Sequence, residues 1–387
     1  MKDTARIARE VAPSPIRKMF NLAGTMKDVI SFAVGEPDFV TPRNIIDAAV
    51  RSLRRGETHY TPNAGLLPLR KAIARRFQEE RSYAPDPDGE VIVTAGGMEG
   101  LMLGMMVILD PGDEVIISEP YWPNYLGQVH MCGGAPRFVR AREENGFIMT
   151  PDDVRRAITT RTKIILINSP SNPTGGVAGG EVLREIARIA VEHDLFVITD
   201  DVYHHFLYDG AAFESISAFD GMRDRTLVVD SFSKAYAMTG WRVGFAVGPS
   251  AVVKQMVKFQ ENLVSCVSPQ AQYGALEALE GPQTSLHRMV RKYAERRKLI
   301  VEGLNDIPGL SCGWPRGAFY CFANVTRSGQ GSEDFAMALL KETGVVTVPG
   351  SGFGEAGEGY LRLSYATSEE NIRGGLSRMR RFMEPRH

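Results

Sequence analysis

Through the first two thirds of the chain, short and mostly apolar runs alternate with longer segments whose apolar positions recur every three or four residues. The runs fall at 91–93, 114–118, 163–167, 195–199 and 226–229, and each reads as a buried strand. Between them, Val182, Leu183, Ile186, Ile189 and Ala190 share one face of a helix predicted over 181–193. Further helices are expected at 41–54, 69–80 and 99–109, the first with Thr41 as its N-cap and Pro42 in its first helical position. Strand and helix in repeated alternation imply an α/β fold: a mostly parallel central sheet flanked by helices. Ligands of such sheets bind beyond the carboxyl ends of the strands. The Gly96-Gly97 turn, Trp122, Asn172, Asp200 and Lys234 all lie just past predicted strand ends, so they are expected to converge on one rim.

The last third has a different pattern. A long helix is predicted over 285–303, and its Arg288, Arg291, Lys292, Arg296, Arg297 and Lys298 read as a solvated face. Shorter strand signals follow at 317–323, 345–349 and 360–365, and a helix at 368–383 closes the pattern. This predicts a large domain over 45–280 and a smaller α+β domain over 281–387, joined by the segment 1–44. Within that segment, Pro13 and Pro15 break any long helix, and 16–23 reads as a short amphipathic one.

Composition narrows the function classes. The 387 residues carry a net charge of −1, which gives no electrostatic case for binding nucleic acid or an anionic membrane. Cys132, Cys266, Cys312 and Cys321 form no C-x-x-C pair, against a zinc cluster or disulfide framework and in keeping with a reducing, cytoplasmic setting. No signal peptide is legible, and no apolar run approaches the roughly 20 residues that span a bilayer. The strand–turn–helix at 91–109 lacks G-x-G-x-x-G, which disfavours a nicotinamide oxidoreductase.

The chemistry concentrates after the strand at 226–229. There the chain reads D-S-F-S-K-A-Y at 230–236 and then M-T-G-W-R-V-G-F at 238–245. Ser231, Ser233 and Arg242 suit a phosphate, the guanidinium through paired hydrogen bonds. Lys234 beside them suits a Schiff base with an aldehyde cofactor, if desolvation or a cationic neighbour lowers its pKa. Taken alone, S-x-S-K is more often a strand end with a solvated lysine, so other segments must supply the matching parts. Pyridoxal phosphate would need a carboxylate against its pyridinium nitrogen. Asp200 and Asp201 both offer one, and strand alternation does not choose between them. Asn172 and Tyr203 would donate to its phenolate oxygen, Trp122 would stack on its ring, and the backbone at Gly97 and Met98 would help hold its phosphate. In L-R-L-S-Y (361–365) alternation turns Arg362 away from its leucine neighbours. That leaves it a surface residue or a clamp for a substrate carboxylate.

At this point the ordered motifs resemble a known family. G-E-P-D-F (35–39), Y-T-P-N-A-G (60–65), N-S-P-S-N-P-T-G (168–175), T-D-D-V-Y (199–203), S-F-S-K-A-Y-A-M-T-G-W-R-V-G (231–244) and R-L-S-Y-A (362–366) are similar to class I/II aminotransferases of fold type I, near their aspartate/aromatic branch. The resemblance runs nearly end to end. It implies pyridoxal 5'-phosphate as cofactor and transfer of an α-amino group from an L-amino acid to a 2-oxo acid such as 2-oxoglutarate, in a ping-pong cycle. It further implies Lys234 as Schiff-base lysine and proton shuttle, and Asp200 as partner of the ring nitrogen. Asn172 and Tyr203 would be phenolate ligands and Trp122 the stacking aromatic. Gly97, Met98, Ser231, Ser233 and Arg242 would make the phosphate cup, and Arg362 the carboxylate clamp with Gly35 and Asn172. Tyr60 would reach the phosphate of the neighbouring subunit, which implies a homodimer.

Specificity is less legible. Met98 stands where some aspartate-using relatives have lysine. Arg17 and Lys18 are possible partners for a distal carboxylate, while Tyr121, Trp122, Phe319 and Tyr320 suit an aromatic or apolar side chain. The same scaffold also serves β-eliminating lyases and non-catalytic cofactor-binding regulators. The latter usually carry a DNA-binding segment ahead of the domain, and here Gly35-Glu36 comes too early for one.

Overall fold

The computed structural model describes residues 3–384 except 12–15, 17, 18, 20, 23 and 25. Seven strands form the central sheet: β2 (Val91–Thr94), β3 (Glu114–Glu119), β4 (Ala135–Arg140), β5 (Thr162–Asn168), β6 (Phe196–Asp200), β7 (Thr226–Ser231) and β8 (Gly244–Val247). Their spatial order is β2-β8-β7-β6-β5-β3-β4. The pairs from β7 through β4 are parallel, and β8 runs antiparallel to both of its neighbours. The five predicted strands are all present. The two that pattern reading missed have physical reasons. β4 (A-P-R-F-V-R) is a half-exposed edge strand carrying a proline, a residue confined to such edges. β8 is four residues long and follows a glycine-punctuated turn, so it carries no periodicity of its own.

Apolar side chains of helices such as Gly97–Ile108 and Gly180–Glu192 cover the sheet, in two clusters built around Val115, Ile117 and Leu166 and around Ile116, Ile165 and Ile167. The helix Arg43–Arg54 begins after Pro42, with no side-chain cap. Thr41 is drawn elsewhere: its hydroxyl donates to Ala237 O at 2.6 Å and accepts from Trp241 Nε1 at 3.0 Å. The expected N-cap is therefore a tie to the turn that follows the lysine segment.

Beyond the helix Pro269–Glu280, the helix Thr284–Asn305 packs against the C-terminal helix Glu369–Met383. A four-stranded antiparallel sheet follows the order β12 (Val348–Pro349), β13 (Tyr360–Ser364), β10 (Tyr320–Asn324), β9 (Ser311–Cys312). The expected strand over 345–349 divides: β11 (Val345–Val346) leaves that sheet and pairs in parallel with β1 (Ile30–Ser31). The basic run also divides. Arg288, Arg291, Lys292 and Lys298 are exposed, but Arg296 and Arg297 are buried. Arg296 pairs with Asp38 at 2.8 Å and lies against the rings of Phe39 and Tyr293. Arg297 binds Asp209 and Pro315 O and lies against Tyr208 and Trp314. A guanidinium with a carboxylate and aromatic faces to satisfy it can be buried where a lysine would be expelled.

Arg17 and Lys18, and with them much of the expected 16–23 helix, lie outside the described residues. Among the described residues, no helix is long and apolar enough to cross a membrane.

Candidate active site

The carboxyl ends of β5, β6 and β7 open into a cavity of about 440 Å³. Lys234, Asp200, Asn172, Tyr203, Trp122, Ser231, Ser233, Gly97, Met98, Arg242, Gly35 and Arg362 all line it. Of the described residues singled out from the sequence, Asp201, Tyr60, Tyr121 and Phe319 are not part of its lining. Asp201 is buried apart from the cavity, bonded to Thr199 Oγ1 and Arg81 Nε. Tyr60 is 89% exposed on the surface of its own chain.

Lys234 sits in the four-residue helical turn Phe232–Ala235, which begins directly at the end of β7 with Ser231 as its cap. Its Nζ donates to Gly35 O at 2.6 Å. Burial pulls its pKa down to about 8, with nearby Glu36 and Asp200 acting against that shift. Gly35 must be a glycine here, since a Cβ would lie 2.3 Å from the Tyr320 hydroxyl.

Asp200 ends β6 and is buried. It accepts from Tyr125 Oη at 2.6 Å and weakly from Val202 N at 3.4 Å. Both donors are neutral, and no cation pairs with it among the described residues. Burial pushes it up to about 7. Tyr125 escaped the sequence reading. A signal was present, since Tyr125 follows Trp122 by three residues at the start of the helix Pro123–Met131, and the two rings meet edge to face at 5.2 Å.

Gly97 and Met98 open the helix Gly97–Ile108, where first-turn N–H groups lack intrahelical acceptors and favour an anion. Gly96 turns the chain there with φ +84°, and a Cβ on it would strike the Arg242 guanidinium at 2.5 Å. Arg242 donates to Thr239 O, and Ser231 and Ser233 flank the same corner of the cavity. On the opposite wall, Arg362 of β13 is fully buried. It donates to Asn172 Oδ1 at 3.1 Å and to Ala33 O, and its Nε has no partner among the described residues. Tyr203 and Tyr320 join their hydroxyls at 2.7 Å beside it.

The donor set fits pyridoxal phosphate. It offers an amine of lowered pKa, a helix start with two hydroxyls and an arginine for a phosphate, and a buried carboxylate lacking a cation. It also offers an aromatic wall and a buried guanidinium with an unused N–H.

The model for "Aminotransferase class I and II" matches residues 27–379. The chain is a class I/II aminotransferase. It is 44% identical over 375 residues to an aspartate aminotransferase of Pyrococcus abyssi, covering 96% of both chains. It is 41% identical to aromatic-amino-acid aminotransferase 2 of Thermococcus litoralis, over 97% of this chain and 96% of the relative. Among solved structures, the aspartate aminotransferase of Thermus thermophilus with maleate superposes with a TM-score of 0.94 at 40% identity, over 98% of this chain and all of that one. This aminotransferase thus has the fold-type I architecture and uses pyridoxal 5'-phosphate to move amino groups between amino acids and 2-oxo acids.

Proposed function

We propose that this aminotransferase takes the α-amino group of an aspartate-type or aromatic L-amino acid and passes it to 2-oxoglutarate in a ping-pong cycle. The observation that carries the reading is Arg362: a buried guanidinium that lines the cavity beside Asn172 and pairs with no carboxylate among the described residues. A substrate α-carboxylate meets that need with a charge-assisted pair. The relatives act on both donor classes by name. Ile16, Val34, Met98, Leu101 and Trp122 supply apolar lining for an aromatic donor.

When bound, pyridoxal phosphate supplies an aldehyde that takes up the amino group and a ring that withdraws electrons from the substrate. Asp200 holds the ring nitrogen's proton, and Tyr125 orients that carboxylate. Asn172 and Tyr203 donate to the phenolate oxygen. Gly97 N, Met98 N, Ser231, Ser233 and Arg242 hold the phosphate. Lys234 Nζ, neutral in a useful fraction near pH 8, would take the proton from the substrate's α-carbon and hold it for return.

The reading extends to assembly. Thr61 N donates to Cys266 Sγ at 3.4 Å, and Tyr60, Leu263 and Val264, each within about three residues of that contact in the chain, are exposed. An apolar surface of this kind supports a homodimer in which Tyr60 reaches the neighbouring subunit's phosphate. The parallel pairing of β1 with β11 supports a smaller domain made of 281–387 with segment 1–44, next to a large domain over 45–280. We assign the enzyme to the cytoplasm.

Initial rates with single donors against 2-oxoglutarate test the reading. Glutamate formation with parallel double-reciprocal lines, fastest with aspartate or an aromatic donor, is expected. Ammonia and pyruvate from a cysteine-like substrate, without glutamate, would instead mark a β-eliminating lyase.

A further inference from the structure

A second cavity, of about 510 Å³, shares no lining residue with the first. Glu80, at the end of the helix Leu67–Arg81, lines it together with His204, His205 and His287. Nothing in the transamination chemistry uses these groups.

The hydrogen bonds define the ring of His204. Its Nδ1 lies 2.9 Å from Asp201 O and 3.2 Å from Asp230 Oδ2, both acceptors, so Nδ1 carries a proton. Its Nε2 lies 3.2 Å from Glu80 Oε2. A neutral imidazole would then set a lone pair against a carboxylate, so this contact requires a proton or a metal cation between the two atoms. The adjacent ring of His205 lies 3.8 Å away, centroid to centroid, and its Nε2 is 3.9 Å from Glu80 Oε1. One donor atom from each of the three residues falls within 4.8 Å of the others.

Charge favours a cation at this point. Glu80, Asp201 and Asp230 face two guanidiniums. Arg81 is buried among all three carboxylates, and Arg76 Nε stands at the edge, 4.0 Å from Glu80.

We propose that Glu80, His204 and His205 form a site for one divalent transition-metal ion of the zinc class, bound by a carboxylate oxygen and the two Nε2 atoms, with its fourth position open to the second cavity. Two imidazoles and a carboxylate are a ligand set that zinc accepts with an open position. Asp201 O and Asp230 provide the outer contact that orients a ligating histidine. Tetrahedral zinc ligands at ordinary bond lengths stand about 3.3 Å apart. The His204–Glu80 pair already meets this spacing, and rotation of the partly exposed His205 ring brings in the third ligand. The ion would clamp the end of helix Leu67–Arg81 to the segment that carries Tyr203, and so support one wall of the active site from behind.

The test uses untagged holoenzyme, treated with a chelator and dialysed, then titrated with Zn²⁺ against a chromophoric chelator. Saturable binding of one ion per chain and a higher thermal midpoint with zinc are expected. Because His204 is buried and holds Asp230, the variant tested is His205→Ala, at a side chain that is 22% exposed. It should weaken zinc binding by at least about 10–100-fold, with its circular dichroism unchanged. Co²⁺ in place of zinc should give four-coordinate visible bands in the wild type that His205→Ala lacks. No saturable ion, or equal zinc affinity in wild type and His205→Ala, overturns the proposal.

Discussion

Asp200 and Asp201 are consecutive and almost equally buried, yet their surroundings are opposite. Asp201 meets the Arg81 guanidinium and the Thr199 hydroxyl. Among the described residues, Asp200 meets only neutral donors, Tyr125 Oη and Val202 N. The arginines repeat the contrast. Arg81, fully buried, has Glu80, Asp201 and Asp230 around it. Arg362, equally buried, touches no carboxylate among the described residues and has no partner there for its Nε. Charges on the Arg81 side are matched within the chain and belong to the fold. Asp200 and Arg362 on the cavity side have no oppositely charged partner among the described residues and are available to a cofactor and a substrate. A buried charge without a partner raises the energy of the folded protein and marks a functional site.

The contrast can be broken most severely at the reactive amine. Lys234→Ala should cut turnover by roughly 10²–10⁴-fold while the protein stays folded. Single-turnover transamination beside a thermal melt would measure both, and appreciable turnover by this variant would remove the assigned role.

Next come the aspartates themselves. Asp201→Asn leaves Arg81 short of a carboxylate and should cost about 3–5 kcal/mol in urea unfolding. Asp200→Asn should spare stability but lower kcat steeply. Their pH behaviour differs as well. In cofactor-stripped protein Asp200 titrates near 7, above its ordinary 3.8. Between those values the folded chain holds a proton that the unfolded chain has released. The stability contributed by this group is therefore complete below about pH 3.8 and is lost as pH rises through 7. Melts of stripped wild type and Asp200→Asn from pH 5 to 8 should show the wild type losing ground as pH rises, and restored cofactor should remove that loss.

Two smaller changes sharpen the picture. Arg362→Lys keeps the charge but loses the forked geometry, which should raise KM for donors by about 10–100-fold, or about 1.5–3 kcal/mol. Tyr125→Phe removes one neutral donor from Asp200. It should lower kcat by about 1 kcal/mol, near fivefold, and leave KM little changed.

The cavity side was the more legible in sequence, for a physical reason. Its residues follow strand ends, where short apolar runs stop and chemistry-bearing side chains stand beside glycines. Lys234, Asp200 and Asn172 could be placed in that way. Arg362 was readable only as a residue turned away from its leucine neighbours. The choice between Asp200 and Asp201 needed three dimensions, since Arg81 lies 120 residues from Asp201 in the chain. Long-range partners also hid the burial of Arg296 and Arg297, whose carboxylates, Asp38 and Asp209, come from distant loops. β8 was hidden by its length, and Thr41 by a turn nearly two hundred residues away that takes its hydroxyl.

The most direct measurement is the visible spectrum of the pure holoenzyme, titrated with one amino acid at a time and no 2-oxo acid. The account predicts that aspartate or an aromatic donor removes the band of the aldehyde form, raises that of the amine form, and releases one 2-oxo acid per site. A band that persists against every donor, or that persists while ammonia appears, would contradict it.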